Sequence, residues 1–228
     1  MWKNDKKFAI ACSKKWFFES KEFNSLRRNF KFLVINNKKK LNLDELKKKQ
    51  IKIIFFPHWS YKVPSKIFNN FKCINFHTSP LPYGRGGSPI QNLILRKIKN
   101  APVCALLMNG SLDAGPIYAK KKISLNGNLE DIFKRISNAI YKLILNILEK
   151  NLTPTEQKGS VKKFKRLNYK LNKLKKNLKF NDVYDSIRML DHKEYRPSYL
   201  QLKNFSIHFR KAKKIKNKII CEAEIKKK

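Results

Sequence analysis

Acidic residues are scarce in this 228-residue chain. Sixteen Asp and Glu stand against 53 Lys and Arg, a formal net charge of +37. Cysteine is scarce too: Cys12, Cys73, Cys104 and Cys221 are widely scattered, with no CxxC pair. Spacing of that kind argues against a disulfide framework, and three of the four lie in strand-like runs as small buried hydrophobes. No apolar run reaches the ~20 residues that a bilayer-spanning helix needs. Near the N-terminus, FAIAC follows basic residues but is too short for a signal-peptide core. Internal repeats are absent. We therefore expect reduced thiols, no metal, no membrane association and a cytoplasmic location.

What is present is an apolar fraction of 42%, enough for most of the chain to fold around a core. The length suits one medium α/β domain with a small appendage. The charge admits two readings. It could serve a polyanionic partner such as tRNA. Alternatively it is compositional: only nine of the 53 basic residues are Arg, and Asn and Ile are also abundant, as AT-rich codon usage would give. Bidentate phosphate recognition would favour Arg. We prefer the compositional reading, while expecting the field to attract any anionic substrate.

Strand and helix patterns alternate along the chain. KFAIACSK (7–14), FKFLVIN (30–36), IKIIFFP (51–57), CINF (73–76), VCALLMN (103–109) and GPIYAKKKISL (115–125) read as strands. LNLDELKKKQ (41–50), PSKIFNNF (64–71) and SPIQNLILRKIKN (88–100) read as helices, the last with Ser88 as N-cap and Pro89 at its first position. In 128–151, Ile132, Phe133, Ile136, Ile140, Leu143 and Ile147 recur at helical spacing. The expected fold class is α/β: a Rossmann-like, mostly parallel sheet with helices on both faces, plus a small C-terminal α+β appendage. Residues 1–160 form the expected catalytic domain. Residues 161–228 form a Lys-rich linker, a helix at VYDSIRMLD, and a hairpin of SYLQLKNFSIHF with KIICEAEI.

Ligands of such sheets bind beyond the carboxyl ends of the strands. There the sequence reads INFHTSPLPYGRGGSPIQ (74–91). Asn75 and His77, two apart on a strand, point to one face. Asp113, in MNGSLDAGPIY after the next strand, can reach the same edge. An imidazole suits proton transfer, a carboxylate can orient it, and an amide N–H can stabilise an oxyanion. That set fits acyl transfer to an amine without a Ser or Cys nucleophile. Singly, each residue is better explained as a turn former or a structural group, and only the conjunction is informative. A single GRGGS unit beside the Lys-rich segment 162–179 is a poor signal for a nucleic-acid binder without enzymatic activity.

NFHTSPLPYGRGGSPIQ resembles the first signature of the 10-formyltetrahydrofolate-dependent formyltransferases, and SLDAGPIY resembles their second. The resemblance implies Asn75, His77 and Asp113 as a catalytic trio and 10-formyltetrahydrofolate as formyl donor. It implies pterin contacts at Pro57, His58 and Trp59 in the loop after the third strand, and at Asn109, Gly110, Ser111 and Leu112. Backbone recognition there explains why small residues suffice. Trp59 and Tyr61 could equally be packing aromatics, and His58 reads as a local hydrogen-bonding group rather than a second base. Tyr83, Arg85 and Gly86 are the candidates for acceptor binding.

The acceptor is open on sequence grounds. ACSKKWFFES lacks the Gly-rich phosphate turn expected of the glycinamide ribonucleotide enzyme. About 60 residues are available for the C-terminal region, and the PHWS…VP and LPYGRGGSP wording looks closest to short sugar N-formyltransferases. A nucleotide-linked amino sugar is the favoured acceptor, with methionyl-tRNA as the alternative. The C-terminal appendage is an expected homodimer contact.

Overall fold

Every residue of Phe8–Ala11 and of Ile53–Phe56 is buried, as strands covered on both faces require. In the computed structural model, which describes residues 7–227, these segments are two strands of a central sheet. Residues 1–6, with Lys3 and Lys6 of the leader reading, lie outside the described residues. Along the chain run β1 (Phe8–Ala11), α1 (Lys15–Phe18), α2 (Lys21–Asn29), β2 (Leu33–Ile35), α3 (Leu43–Lys48), β3 (Ile53–Phe56), α4 (Ser65–Phe68), β4 (Lys72–Thr78) and β5 (Tyr83–Gly86). There follow α5 (Pro89–Leu95), β6 (Asn100–Leu107), β7 (Ile117–Ser124), α6 (Leu129–Glu149), β8 (Lys162–Phe164), α7 (Phe180–Arg188), β9 (Ser198–Gln201), β10 (Phe205–Ile215) and β11 (Lys218–Lys227). Among the described residues no helix is long and apolar enough to cross a membrane.

The chain packs as two compact units. The first comprises the chain to Arg85, Pro102–Ile123 and Arg135–Lys163. Its six-stranded sheet has the order β2-β1-β3-β4-β6-β7. Pairs β1–β2, β1–β3 and β3–β4 are parallel, and β6 runs antiparallel to β4. The result is the expected α/β class, a mixed and mostly parallel sheet with helices. The antiparallel step matters for the site. Leu107, the last residue of β6, pairs with Ile74. The following loop therefore leaves beside the start of β4 and has to turn back to reach Asn75 and His77. A core cluster of Ala11, Ile54, Phe56, Ile67 and Cys73 takes in Trp59, Phe68 and Met108 at its rim.

The second unit comprises Gly86–Ala101, Ser124–Lys134 and Phe164–Lys228. Its sheet, β11-β10-β9, is antiparallel. Arg188 binds Asp185 through Nε at 2.6 Å and caps the carbonyls of Leu125 and Gly127 through Nη1 at 2.7 and 2.8 Å. The buried guanidinium thus has a carboxylate and two carbonyls as partners, as a buried charge requires.

Several local readings change. The segment 21–29, left unassigned on sequence grounds, is helix α2, started by Ser20 Oγ accepting from Phe23 N at 3.2 Å. Ser88 is not a side-chain cap: it sits at φ 50° and its Oγ accepts from Leu167 N. Helix α5 ends at Leu95 rather than residue 100. Lys97, at φ 60°, closes it with a Schellman turn in which Ile98 N donates to Leu93 O at 3.1 Å. The Lys-rich linker contains strand β8. SYLQLKNFSIHF is two strands, not one, so the expected hairpin is a three-stranded sheet. Leu202 N donates to Phe205 O across a turn that carries neither Gly nor Pro, with Asn204 its one turn former, a weak sequence signal.

Candidate active site

Strand β4 carries Asn75 opposite Phe56 of β3 and Leu106 of β6, between two paired neighbours. Its backbone is fixed by both ladders, so the i, i+2 side chains of Asn75 and His77 leave the same face with little freedom. Asp113 is supplied by the loop between β6 and β7. That loop turns back through Gly115, where a Cβ would lie 1.6 Å from Leu107 O, so only glycine fits. Asp113 itself adopts φ 51°, a left-handed backbone that non-glycine residues seldom take.

The three predicted residues meet. Asn75 Nδ2 donates to Asp113 Oδ1 at 3.2 Å. Asp113 Oδ2 lies 3.4 Å from His77 Nδ1. His77 Nε2 lies 2.8 Å from Gly84 O. A carbonyl only accepts, so Nε2 carries a hydrogen, and Nδ1 is the ring nitrogen turned to Asp113. His77 and Asp113 are 6% and 8% exposed, so their interaction is little screened by water.

The expected pterin residues divide. Pro57 is buried and His58 turns its ring inward against Trp16, with centroids 4.4 Å apart. Burial, reinforced by nearby Lys14, lowers the His58 pKa to about 3, so it is neutral and no second base at neutral pH. Its carbonyl accepts from Ser13 Oγ at 2.9 Å, which ties the loop after β3 to the loop after β1. Trp59 packs edge-on to Phe56 and Tyr61, and its indole N–H is buried without a hydrogen-bond partner among the described residues. In the second loop, Asn109 Oδ1 accepts from Ser111 N, Gly110 adopts φ 85°, and Leu112 is 74% exposed.

The expected acceptor residues also divide. Tyr83 O accepts from the Ser79 hydroxyl. Gly86 adopts φ 108°, where a Cβ would meet Phe164 O at 2.5 Å, so its glycine answers to local packing. Arg85 directs Nε and Nη2 to Gln157 Oε1, at 3.1 and 2.8 Å. Gln157 escaped sequence reasoning: TPTEQ (153–157) lies just past the long helix and carries no motif. It is placed by an antiparallel bridge between Thr155 and Ile117, which sets residue 157 opposite Gly115. A lone bridge of this kind leaves no periodic signal in the sequence.

Residues 170–226 match the family model described as the C-terminal domain of methionyl-tRNA formyltransferase. The methionyl-tRNA formyltransferase of Malacoplasma penetrans is 30% identical over 145 residues, 62% of this chain and 45% of that protein. A solved structure, methionyl-tRNA formyltransferase from Clostridium thermocellum, is 34% identical with a TM-score of 0.93, covering 97% of this chain and 99% of that one. The chain belongs to the formyltransferase family. The family also frames the more distant likeness to a sugar N-formyltransferase from a Shewanella species, 18% identical with a TM-score of 0.69 over 92% of this chain and 98% of that one, which bears on the fold alone. The chain spans less than half the length of the first curated relatives it matches, 45% and 33% of theirs.

Proposed function

We propose that this chain transfers a formyl group from 10-formyltetrahydrofolate to the amine of methionyl-tRNA. The observation that carries the chemistry is the contact of Asp113 with both Asn75 and His77. The acceptor rests on the likeness to methionyl-tRNA formyltransferases at 30% and 34% identity, against 18% for the sugar enzyme. That ordering replaces the amino sugar favoured on sequence length and wording. Exposed Lys213, Lys214, Lys216, Lys218, Lys226 and Lys227 on the C-terminal hairpin add support for a polyanionic acceptor.

The residues fit the donor. Trp59 offers a buried N–H in want of an acceptor, and Gly110 carries no side chain where a Cβ would meet the Phe68 ring at 3.4 Å. Both segments adjoin one apolar cluster, through Trp59 and Met108. 10-Formyltetrahydrofolate would supply an activated formyl carbon there. The reaction joins the acceptor nitrogen to that carbon, releases the folate nitrogen, and moves one proton from the first to the second.

Asn75 has two amide hydrogens. One goes to Asp113 Oδ1, which leaves the second to stabilise negative charge developing on the formyl oxygen. The amine proton is taken at His77 Nδ1, because Nε2 is committed to Gly84 O. Asp113 Oδ2 stabilises the resulting charge at 3.4 Å and keeps the proton near the departing nitrogen. Burial of the pair strengthens this stabilisation and holds bulk water away from the proton.

The deciding experiment supplies purified protein with 10-formyltetrahydrofolate and methionyl-tRNA and looks for formylmethionyl-tRNA. Product formation is expected. Its absence, with formylation of a nucleotide-linked amino sugar instead, overturns the acceptor. Turnover of neither overturns the activity.

A further inference from the structure

Gln157 lies outside the trio and has every hydrogen-bonding group of its side-chain amide in use. Nε2 donates to Asp113 O at 2.9 Å and to Gly115 O at 2.8 Å. Oε1 accepts from Arg85 Nε at 3.1 Å and Nη2 at 2.8 Å. This pattern fixes which way the amide points. A flipped amide would set its oxygen against two carbonyls and its NH2 against a guanidinium. Arg85 thereby locks Gln157, and Gln157 grips the loop on either side of Ala114.

That grip falls where the backbone is least able to hold itself. Asp113 has φ 51°, and such a conformation persists only when its surroundings over-determine it. The Asp113 and Gly115 carbonyls are otherwise loop acceptors that a turn of the peptide would redirect. Rotating the Asp113 backbone would carry its carboxylate away from both Asn75 Nδ2 and His77 Nδ1. The bridge between Thr155 and Ile117 anchors the segment from which Gln157 reaches in.

We propose that Arg85 and Gln157 form a positioning relay that aims the Asp113 carboxylate at His77 and Asn75. Arg85 acts here through Gln157, a role distinct from binding the acceptor. The relay rests on the reading of Asp113 as a member of the catalytic trio.

Gln157→Glu tests it. The variant keeps the shape and the pairing with Arg85, but places an oxygen where two carbonyls need a donor. We expect kcat for formylmethionyl-tRNA to fall roughly 10- to 100-fold, as ~1 Å misplacements can do. KM for methionyl-tRNA should stay within about threefold, since the relay is not placed in acceptor binding. The pH profile of kcat should move, because the carboxylate no longer faces His77 as before. Amide exchange in 109–115 should quicken in the folded protein, a readout that needs no substrate.

Wild-type kcat in Gln157→Glu overturns the relay, as does a lower kcat with an unmoved pH profile, which marks a purely structural role. Unchanged exchange in 109–115 overturns it too. Arg85→Lys keeps the charge and removes the fork. It should lose about three- to tenfold in kcat with the same pH displacement, and it carries the test if Gln157→Glu fails to fold. Asp113→Asn separates the two readings. Full activity in Asp113→Asn overturns the catalytic reading, whereas its loss beside a wild-type Gln157→Glu overturns the relay alone.

Discussion

Asn75 and Asp113, 38 positions apart in the chain, are joined by a hydrogen bond of 3.2 Å from Nδ2 to Oδ1. The same carboxylate faces His77 through its other oxygen. Asp113 therefore stands between the two β4 residues, rather than behind the imidazole on its far nitrogen, where Gly84 O already lies. Asn75→Ala should lower kcat by roughly 10²–10³ by removing the oxyanion donor. His77→Ala should lower it by roughly 10²–10⁴. The Asn75→Ala/Asp113→Asn pair should be non-additive, because each single change disturbs the same contact. Steady-state kinetics of the four proteins in that cycle check this, and strict additivity would refute the shared contact.

Folding should weaken in mild acid through His58. Its folded pKa is lowered from 6.5 to about 3, mainly by burial. Between those values the unfolded chain binds a proton there that the folded chain does not. Stability is thus fully present above about pH 6.5 and falls as pH drops toward 3, by up to ~1.4 kcal/mol per pH unit. Asn accepts a positive φ such as the 53° of His58, so His58→Asn can fold there. Urea unfolding at pH 7 and pH 5 should show a smaller loss for the variant; equal losses would remove His58 as the cause.

Gly115→Ala should be among the most damaging single-methyl changes in the chain. The added carbon would meet a backbone oxygen at 1.6 Å, and no side chain can yield to relieve it. We expect a loss near the ~4 kcal/mol upper range of point substitutions, with catalysis reduced in whatever remains folded. Denaturant unfolding measures the first quantity. A loss below ~1 kcal/mol would mean that the loop can shift without cost.

The thiols should react in a fixed order. Burial pushes Cys73 up to about 12 and Cys104 up to about 11, so neither is a thiolate near neutral pH. Cys12 is also buried, whereas Cys221 on β11 is only partly covered, though burial raises its pKa as well. A thiol reagent at pH 8 should label Cys221 first in the native protein and the other three only on unfolding, as peptide mapping would reveal. Early labelling of Cys104 would contradict the packing of β6 against β4.

Sequence by itself determined the strands of the central sheet, the long helix and the three candidate residues that the fold brings together. Ile53–Phe56 is apolar throughout because both faces are covered, and Leu129–Glu149 repeats its apolar residues at helical spacing because one stripe faces the core. Those patterns are local, so they are readable in order along the chain. Asn75 and His77 share a face for the same local reason. What the tertiary structure alone decided is how Asp113 arrives. Strand β6 runs against β4, the loop leaves beside Ile74, and a left-handed Asp113 two residues before an obligatory glycine brings the carboxylate back. Gln157 enters by a single bridge from a segment without periodicity, and Ser88 exchanges its expected capping role for a bond to Leu167. Hydrogen bonds between residues tens of positions apart depend on strand direction and loop path, which no window of the sequence contains.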